Sequence, residues 1–507
     1  MTSTLLVAAG VHPVDPEAPD GLRAVLIDGD RITWVGAQPE QAPPHDRAVD
    51  LGDAWITPAF VDAHVHGTPT GHATRGLRLA GAVSAAEVLD RLRRFAGADD
   101  APELILGHAW DDFGWPEGRP PTAAEITQAA PGRIVLLTRV DAHSCLVSQP
   151  VLDRLPLEQL DGVDTADDGA PTGWLREQAS QAALALVREL IPPAEAAAAR
   201  QAACHAAAEL GIATIHEMGH PGLYGLDDAV AWAVGDWPIE VLVWWAELDL
   251  DAAVGRGLRP GGDLFLDGSI GTCTAATSRP YGPAGECGEL FHDDEAVADW
   301  FEACTRAGMG GGVHAIGDRA IEQAVGALER VAARVGLDAV RRCRHRIEHV
   351  ELPSRDQVAR MAHVGAVASV QPAFDAVWGG REQLYAQRFG ADAALRSNPL
   401  AWFVEEGVGL AFGSDSTVTP LDPLGALAAA TGHLGGLSID AATALAAHTV
   451  GGHHVAGVHD AGRCRPGFRA DLAVWSHDPL DGLGGPPPRC LATLVRGAVV
   501  HGDAFGP

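Results

Sequence analysis

Long apolar runs of the strand type alternate with alanine-rich amphipathic segments through the middle of the chain. This alternation is typical of β–α units, whose strands form a parallel sheet covered by helices. The clearest helices are predicted over residues 195–210 and 318–335. Eight strand-like runs are predicted, the number that a closed barrel of parallel strands needs. They are residues 59–64, 213–216, 240–244, 263–266, 312–314, 346–349, 366–370 and 410–413.

Both ends of the chain have a different pattern, with short strand-like runs separated by turn residues. Residues 4–8, 24–28 and 32–36 have this character near the N-terminus, and residues 471–475 and 494–500 repeat it near the C-terminus. We therefore expect one small β-sandwich domain built from residues 1–57 and 460–507. The long body between them, residues 58–459, is expected to form the barrel.

A long segment separates the first predicted barrel strand from the second and contains strand-like runs of its own, at residues 104–108 and 134–138. We expect it to be an inserted subdomain of about residues 69–200. The predicted fold class is therefore α/β: a (β/α)₈ TIM-type barrel, a small β-sandwich domain from both termini, and an insertion after the first barrel strand.

Composition narrows the range of partners. The 507 residues carry a net charge of −31, which argues against nucleic acid because that partner requires clustered Lys and Arg. No apolar run approaches the length of a membrane span, and the eight cysteines form no CxxC pair. We expect a cytoplasmic protein with a small-molecule substrate and no membrane partner; a homodimer is an alternative to a monomer.

Polar side chains with metal-ligand chemistry follow several of the predicted strands. His64 and His66 end the first strand, where alternation points both imidazoles to the same side. Alone, this pair is as typical of a polar strand edge as of a metal site. His314, His349 and Asp415 stand at three further strand ends, and the carboxyl ends of barrel strands meet on one face. Imidazole and carboxylate suit zinc or another divalent transition metal.

These motifs resemble those of the amidohydrolase superfamily. The resemblance implies that His64, His66, His314 and His349 bind metal and that Asp415 lies beside the metal-bound water. The resemblance covers nearly the whole chain. Further motifs narrow the resemblance to the branch that contains N-substituted formamide deformylase and uncharacterised metal-dependent hydrolases. The motifs that carry the superfamily resemblance are residues 58–66, 313–319, 345–349 and 413–415, and those that narrow it are residues 266–271, 280–281 and 369–372.

The implied activity is hydrolysis of a non-peptide carbon–nitrogen bond, with a linear N-acyl or N-formyl amide as the expected substrate. A bound cation lowers the pKa of its water from 15.7 to about 7 and so supplies hydroxide at neutral pH. Asp415 would take the proton as hydroxide attacks the carbonyl carbon and pass it to the leaving nitrogen. The metal, or a neighbouring histidine such as His349, would polarise the carbonyl.

One departure from the superfamily concerns the bridge between two metals. Many members use a carboxylated lysine on the fourth strand, but this chain contains no lysine and has Asp263 at the equivalent position. A mononuclear site and a binuclear site bridged by another residue both remain open, with one or two ions per chain. Glu217, at the end of the second strand, is the expected bridge, because Asp263 is expected to be too short. The alternative is that Glu217 only hydrogen-bonds a ligand histidine.

Substrate contacts are harder to assign from sequence. Trp110 and His143 in the insertion, and Gln371 after the seventh strand, are candidates, although the loop at Trp110 is equally typical of a plain turn. The alternative reaction is hydrolytic deamination of a ring or an amidine. That reaction usually has a Glu after the fifth-strand histidine, where this chain has Asp318. An inactive metal-binding or ligand-binding protein is the alternative from another class.

Overall fold

The computed structural model describes residues 2–99, 101–112, 114–139, 144–282 and 285–503, so His143 lies outside the described residues. The chain divides into two compact units. Unit 1 comprises Met1–Gly67 and Cys204–Pro507, and unit 2 comprises Thr68–Ala203. Every described residue of the candidate metal centre belongs to unit 1.

Eight parallel strands of unit 1 form two four-stranded sheets in the described part of the chain. In each sheet the strands lie side by side in the order in which they occur along the chain. Isolated parallel bridges join Val65 to Ser416 and Phe265 to His314, so that each sheet is linked to the other at both edges. This arrangement is consistent with a TIM-type barrel. The strands are β1 (Phe60–Val65), β2 (Ile212–Gly219), β3 (Glu240–Trp245), β4 (Arg259–Pro260), β5 (Gly312–Ala315), β6 (Arg346–His349), β7 (Val367–Val370) and β8 (Gly409–Phe412).

The strands form where the sequence is almost continuously apolar. All residues of β1 and of β2 are buried, as expected for parallel strands covered on both faces. Seven of the eight predicted strand positions are confirmed within a few residues. The fourth prediction was wrong in its bounds: regular pairing occurs at Arg259–Pro260, and residues 263–266 contribute only the bridge at Phe265.

Two adjacent glycines explain the interruption of the fourth strand. Gly261 and Gly262 have φ angles of 79° and 82°, in the left-handed region that other residues rarely adopt. A Cβ atom on Gly261 would lie 2.0 Å from the carbonyl oxygen of Gly312 in β5. Backbone therefore approaches backbone here, and the chain after β4 leaves the regular strand path before it reaches Asp263.

Helices connect the barrel strands, and the long helix after β5 shows which residue pattern buries one face of such a helix. Asp318–Val335 has the predicted bounds and buries residues spaced by three and four, such as Ile321, Val325 and Leu328. In the described part of the chain, no helix has the length and apolar character needed to cross a bilayer. The other helices of unit 1 are Gly225–Val234, Leu250–Val254, Asp294–Arg306, Leu337–Cys343, Arg355–Val364, Pro372–Trp378, Leu384–Phe389, Ala391–Ala394, Leu400–Glu406, Pro423–Thr431, Ala441–Ala446 and Gly452–Val455, with a π-helical turn at Ala447–Gly451 and a 3₁₀ turn at Pro39–Gln41.

Strands near the two termini form two further sheets of unit 1 among the described residues. Leu472 and Val474 pair antiparallel with Pro58 and Ile56, so that one sheet contains both ends of the chain. One cluster of buried apolar side chains includes residues from both sheets. The first sheet runs Arg31–Gly36, Ala24–Asp28, Thr4–Val7, Arg47–Asp50, and the second runs Gly10–Val11, Trp55–Pro58, Leu472–Trp475, Cys490–Val495, Ala498–Gly502.

Unit 2 has its own sheet and its own apolar core. The sheet is mixed and six-stranded among the residues described, with order Val163–Thr165, Pro171–Arg176, Ser144–Val147, Ile134–Arg139, Leu104–Trp110, Leu77–Arg78. The helices of this region are Gly67–Arg75, Ala85–Ala96, Ala123–Ala129, Gln149–Leu152, Glu177–Glu189 and Pro193–Glu209, with a 3₁₀ turn at Leu157–Gln159. The helix predicted over residues 195–210 corresponds to the last of these.

Candidate metal centre

Four histidines and two aspartates lie together in unit 1, at or just after the carboxyl ends of the barrel strands. Five of the six residues predicted to bind metal are among them. Within the described residues, three groups of side chains bring their ligand atoms within 4.8 Å of one another. The groups are His64 with His66 and Asp263, His64 with His349 and Asp415, and Asp263 with His314 and His349.

The two carboxylates lie between the imidazoles. Asp415 Oδ1 is 3.5 Å from His64 Nε2 and 3.2 Å from His66 Nε2. Asp263 Oδ1 is 3.2 Å from His314 Nδ1 and 3.5 Å from His349 Nε2. His66 is half-buried, and the other five residues are buried. The centre is therefore a compact group of nitrogen and oxygen ligand atoms with little contact with water.

Each imidazole has one ring nitrogen against an oxygen acceptor outside the group. Carbonyl, amide and carboxylate oxygens only accept hydrogen bonds, so that ring nitrogen carries the hydrogen. In a neutral imidazole the other nitrogen then presents its lone pair to the centre, as metal-ligating histidines do. The pairs are His64 Nδ1 with Glu348 Oε2 (3.0 Å), His66 Nδ1 with the Met218 carbonyl (3.2 Å), His314 Nε2 with the Gly268 carbonyl (3.2 Å) and His349 Nδ1 with Gln371 Oε1 (2.8 Å).

This donor set fits a divalent cation. Lone pairs and carboxylates face one another, so that the neutral centre contains acceptors and lacks donors. Two of the atoms, His64 Nε2 and Asp415 Oδ1, are buried and have no hydrogen-bond partner among the described residues. Burying polar atoms without partners is costly, and a cation bound to both would remove that cost. Imidazole nitrogen with carboxylate oxygen is a donor set that zinc accepts.

The pKa values of His66 and His349 reflect the same attraction for positive charge. Burial by itself would lower the pKa of His66, but the Asp415 carboxylate, 3.2 Å from Nε2, acts against it and raises that pKa to about 9. Burial also opposes the charged form of His349, yet Asp263 and Asp415 raise its pKa to about 10. The carboxylates thus make the centre a strong binding place for a cation, for which protons compete.

Two of the ligand candidates have unusual backbone conformations. His349 and Asp415 have φ angles of 71° and 53°, in the left-handed region. Such conformations cost free energy in non-glycine residues and occur preferentially at functional sites. Asp415 N also donates to the His64 carbonyl at 2.8 Å, which ties the segment after β8 to β1. The strand ends are therefore held in the positions that bring the ligand atoms together.

Buried acids that sequence reasoning missed support the centre. Glu348 accepts from His64 Nδ1 and also forms an ion pair with the buried guanidinium of Arg346. Asp62 accepts from Ser414 N at 2.9 Å and from His64 N at 3.3 Å, and burial raises its pKa to about 7. The available signal was an acid within an otherwise apolar strand, one residue before His349 and two before His64.

Glu217 and Asp263 differ from expectation. The Glu217 carboxylate is buried and accepts from the backbone N–H of Gly67 at 2.6 Å, and none of the three groups found among the described residues includes it. Its role as a ligand stays a prediction. Asp263 was expected to be too short to take the place of a bridging carbamate, which stays a prediction, but its carboxylate does lie among the ligand candidates. The path of the chain at Gly261 and Gly262 brings its backbone beside β5, and its carboxylate contacts ligand candidates directly.

The candidates for substrate contact have separate positions. Trp110 is buried in the apolar core of unit 2 and donates its indole N–H to the Leu137 carbonyl at 2.8 Å, a packing role that argues against substrate contact. Gln371 orients His349, and its buried Nε2 has no hydrogen-bond partner among the described residues. His143 falls outside those residues. Gln371 is therefore the candidate whose position suits a ligand at the metal centre.

Comparison with known proteins agrees with the fold. The chain is 25% identical over 447 residues to the protein YtcJ of Bacillus subtilis, covering 80% of each chain. It is 24% identical over 530 aligned residues to N-substituted formamide deformylase of Arthrobacter pascens, covering 95% of this chain and 94% of that protein. A crystal structure of an uncharacterised metal-dependent hydrolase from Pyrococcus furiosus has a TM-score of 0.78 at 24% identity, covering 94% of this chain and 100% of the other.

The family match extends over most of the chain. The model of the amidohydrolase family matches residues 47–502, which include the barrel strands, the C-terminal strands and, of the N-terminal strands, only Arg47–Asp50 and Trp55–Pro58. Since this match includes every ligand candidate, the chain belongs to the amidohydrolase family.

Proposed function

We propose that the protein hydrolyses a linear N-acyl or N-formyl amide with a divalent metal, zinc or a similar transition ion, bound by His64, His66, His314, His349 and Asp415. The observation that carries the proposal is the buried donor set, in which imidazole lone pairs and carboxylates converge. The similarity of the chain to N-substituted formamide deformylase supports an amide substrate, because that relative's name describes removal of a formyl group from nitrogen.

The residues of the centre suit the steps of amide hydrolysis. A bound divalent cation would polarise the carbonyl and acidify the attacking water. Asp415 accepts the proton that this water loses and transfers it to the nitrogen that leaves as the amine. Burial would raise the pKa of Asp415, but His64 and His66 lower it, so the carboxylate is ionised and able to accept a proton. His349 and the Gln371 amide are positioned to orient the carbonyl.

The position after the fifth-strand histidine favours amide hydrolysis over deamination. A deaminase usually presents a Glu there, whereas this chain has Asp318, whose carboxylate accepts from Ser278 N at 2.8 Å and from the Ser278 hydroxyl. Asp267 lies closer to His314, and its carboxylate accepts hydrogen bonds from the backbone N–H groups of Ile316 and Gly317. Both acids therefore stabilise the loop after β5.

We also propose a domain organisation for this activity. The two sheets that share one apolar core are assigned to a β-sandwich domain of residues 1–57 and 460–507, with the barrel at residues 58–459. Residues 69–200 are assigned to an inserted subdomain. The partner is a small-molecule substrate, and a homodimer is the assembly to test.

Loss of one imidazole should remove the metal. We expect His64→Ala or His314→Ala to lose bound zinc and activity together, because each variant lacks one of the few side chains that bind the ion. His454→Ala, which changes an exposed histidine outside the centre, is the matched control and should retain both. Elemental analysis of the purified variants measures zinc per chain; full zinc retention in either ligand variant would contradict the assignment.

Asp415→Asn should separate proton transfer from folding. Asparagine keeps the size of the side chain but cannot accept the proton, so we expect turnover to fall by at least about 10²-fold, the usual scale for loss of a general base. Turnover is measured on a panel of N-formyl and N-acyl amides with zinc present. Near-normal turnover of the variant would exclude Asp415 from the mechanism. A fully metal-loaded wild type that hydrolyses none of the amides would favour an inactive binding protein.

Glu348→Gln tests a positioning residue rather than a ligand. The charge of Glu348 fixes the hydrogen on His64 Nδ1 and aims Nε2 at the centre. We expect zinc affinity to fall by about 10- to 100-fold, as for other partners of metal-bound histidines. Glu240→Gln is the control, because Glu240 forms ion pairs with Arg469 and Arg496 at the other end of β3. Competition with a zinc-sensitive chelator measures the zinc affinity of both variants. An equal loss of affinity in the two would contradict the role of Glu348.

A further inference from the structure

The histidine that follows the second barrel strand has no part in the chemistry described so far. Alternate side chains of β2 face the barrel interior. Arg346 in β6 donates from Nη1 to His216 Nδ1 at 3.0 Å, and this contact crosses the interior because β2 and β6 belong to different sheets. Two residues on, Met218 packs beside Gly262, where an added Cβ atom would lie 2.6 Å from the methionine sulfur. His220 continues this series at the carboxyl end of the barrel.

Aromatic rings connect His220 to the metal centre. The half-buried His220 ring packs against Phe265, with 4.6 Å between the ring centroids. Phe265 in turn packs edge-on against His314, with 4.7 Å between the centroids. One aromatic ring therefore separates His220 from a ligand candidate. None of the three ligand groups found among the described residues includes His220, so it lies beside the centre without belonging to the donor set.

The hydrogen of the His220 ring has a fixed position. Gly222 N donates to His220 Nδ1 at 2.9 Å, so that the neutral ring carries its hydrogen on Nε2. Burial lowers the pKa of His220, although the charge of Asp263 acts in the opposite direction, and the ring is therefore neutral at pH 7. Nε2 has no hydrogen-bond partner in the part of the chain that the structure describes. His220 thus offers an unused N–H donor beside the metal centre.

A neutral donor at this place complements the ligand candidates, whose inward-facing atoms are lone pairs and carboxylate oxygens. Amide hydrolysis places negative charge on the carbonyl oxygen, and a donor held against that oxygen lowers the barrier. We propose that His220 donates from Nε2 to the carbonyl oxygen of the substrate and stabilises the charge that develops there. This inference rests on the proposed amide hydrolysis and adds a residue to it.

The step balances without a proton from His220. As the oxygen of the attacking water bonds to the carbonyl carbon and its proton passes to Asp415, the π electron pair of the carbonyl moves onto the carbonyl oxygen. His220 Nε2–H donates a hydrogen bond to that oxygen. When the amine leaves with the proton from Asp415, the electron pair re-forms the carbonyl. His220 keeps its hydrogen throughout, as a neutral imidazole can.

The competing interpretation is that His220 only stabilises the turn to Gly222. Two substitutions separate the roles. His220→Asn keeps an acceptor for Gly222 N, because asparagine side chains bond the backbone two residues on, but it has no donor at the position of Nε2. His220→Gln has the opposite properties: its longer side chain brings an amide N–H near the position of Nε2 and has no acceptor near that of Nδ1. A role in the turn favours Asn, and a role as donor favours Gln.

Turnover of N-formyl and N-acyl amides by the zinc-loaded full chain measures the difference. We expect kcat of His220→Asn to fall by about 10²- to 10³-fold, the scale for loss of one such donor, with zinc per chain unchanged. His220→Gln should recover part of that loss. His454→Asn changes an exposed histidine outside the centre and should keep the wild-type kcat. Near-normal turnover by His220→Asn, slower turnover by His220→Gln than by His220→Asn, or loss of zinc from His220→Asn would overturn the proposal.

A second measurement tests contact with the carbonyl oxygen itself. Sulfur accepts hydrogen bonds more weakly than oxygen, so the ratio of wild-type to His220→Asn rates should be smaller for an N-thioformyl substrate than for the matching N-formyl amide. Equal ratios for the two substrates would overturn the contact while leaving amide hydrolysis in place. Zinc-loaded wild type that hydrolysed no amide would overturn the proposed function and this inference together.

Nitrogen-15 NMR of protein labelled at histidine gives a readout that needs no turnover. The wild-type resonances of His220 are those missing from the spectrum of His220→Gln. We expect them to show a neutral ring with its hydrogen on Nε2, because Gly222 N occupies Nδ1. A hydrogen on Nδ1, or a charged ring at pH 7, would overturn the proposed donor.

Discussion

The structure depends on a conflict between burial and charge at one end of the barrel. Four imidazoles and two carboxylates are gathered with little contact with water, and their inward-facing atoms are acceptors when the rings are neutral. Such a group is costly to bury unless positive charge is bound within it. A divalent cation would resolve this conflict, and protons are the competing solution. The other features of the centre maintain the geometry in which we propose that a cation is held.

A buried polar network beneath the centre has this role. Arg346, which is almost fully buried, donates to Ser369 Oγ at 2.7 Å and forms an ion pair with Glu348. Glu348 in turn fixes the tautomer of His64. The guanidinium also lies 4.7 Å from the ring centroid of Trp244 in β3, a cation–π contact. This network connects β3, β6 and β7 to His64 in β1. The position of that ligand candidate therefore depends on the packing of the barrel strands.

Much of this arrangement was predictable from sequence, for physical reasons. Parallel strands are buried on both faces, so their apolar runs are conspicuous, and the histidines that follow them stand at the face where strand ends meet. The gathering of His64, His314 and Asp415 at that face was predicted in this way. The position of Asp263 among them was not, because the type of a residue does not reveal where the backbone places it. Gly261 and Gly262 move Asp263 next to β5, whereas the prediction considered only the length of its side chain.

Residues that act through a neighbour were also difficult to predict. Glu348 lies beside His349 in sequence but orients His64 on another strand, and only the assembled barrel shows that contact. Trp110 looked like part of a loop above a pocket, yet it ends a regular strand and is buried in the core of unit 2. Apolar character alone does not distinguish a packing tryptophan from one that contacts a ligand.

The central claim is that the acceptor-rich group holds a cation. Anomalous X-ray diffraction at the zinc edge from crystals grown with zinc tests it most directly. The account predicts anomalous density about 2.0–2.2 Å from the inward-facing nitrogens and carboxylate oxygens, the usual zinc–ligand distances. Zinc density elsewhere on the chain, with none among His64, His66, Asp263, His314, His349 and Asp415, would contradict it.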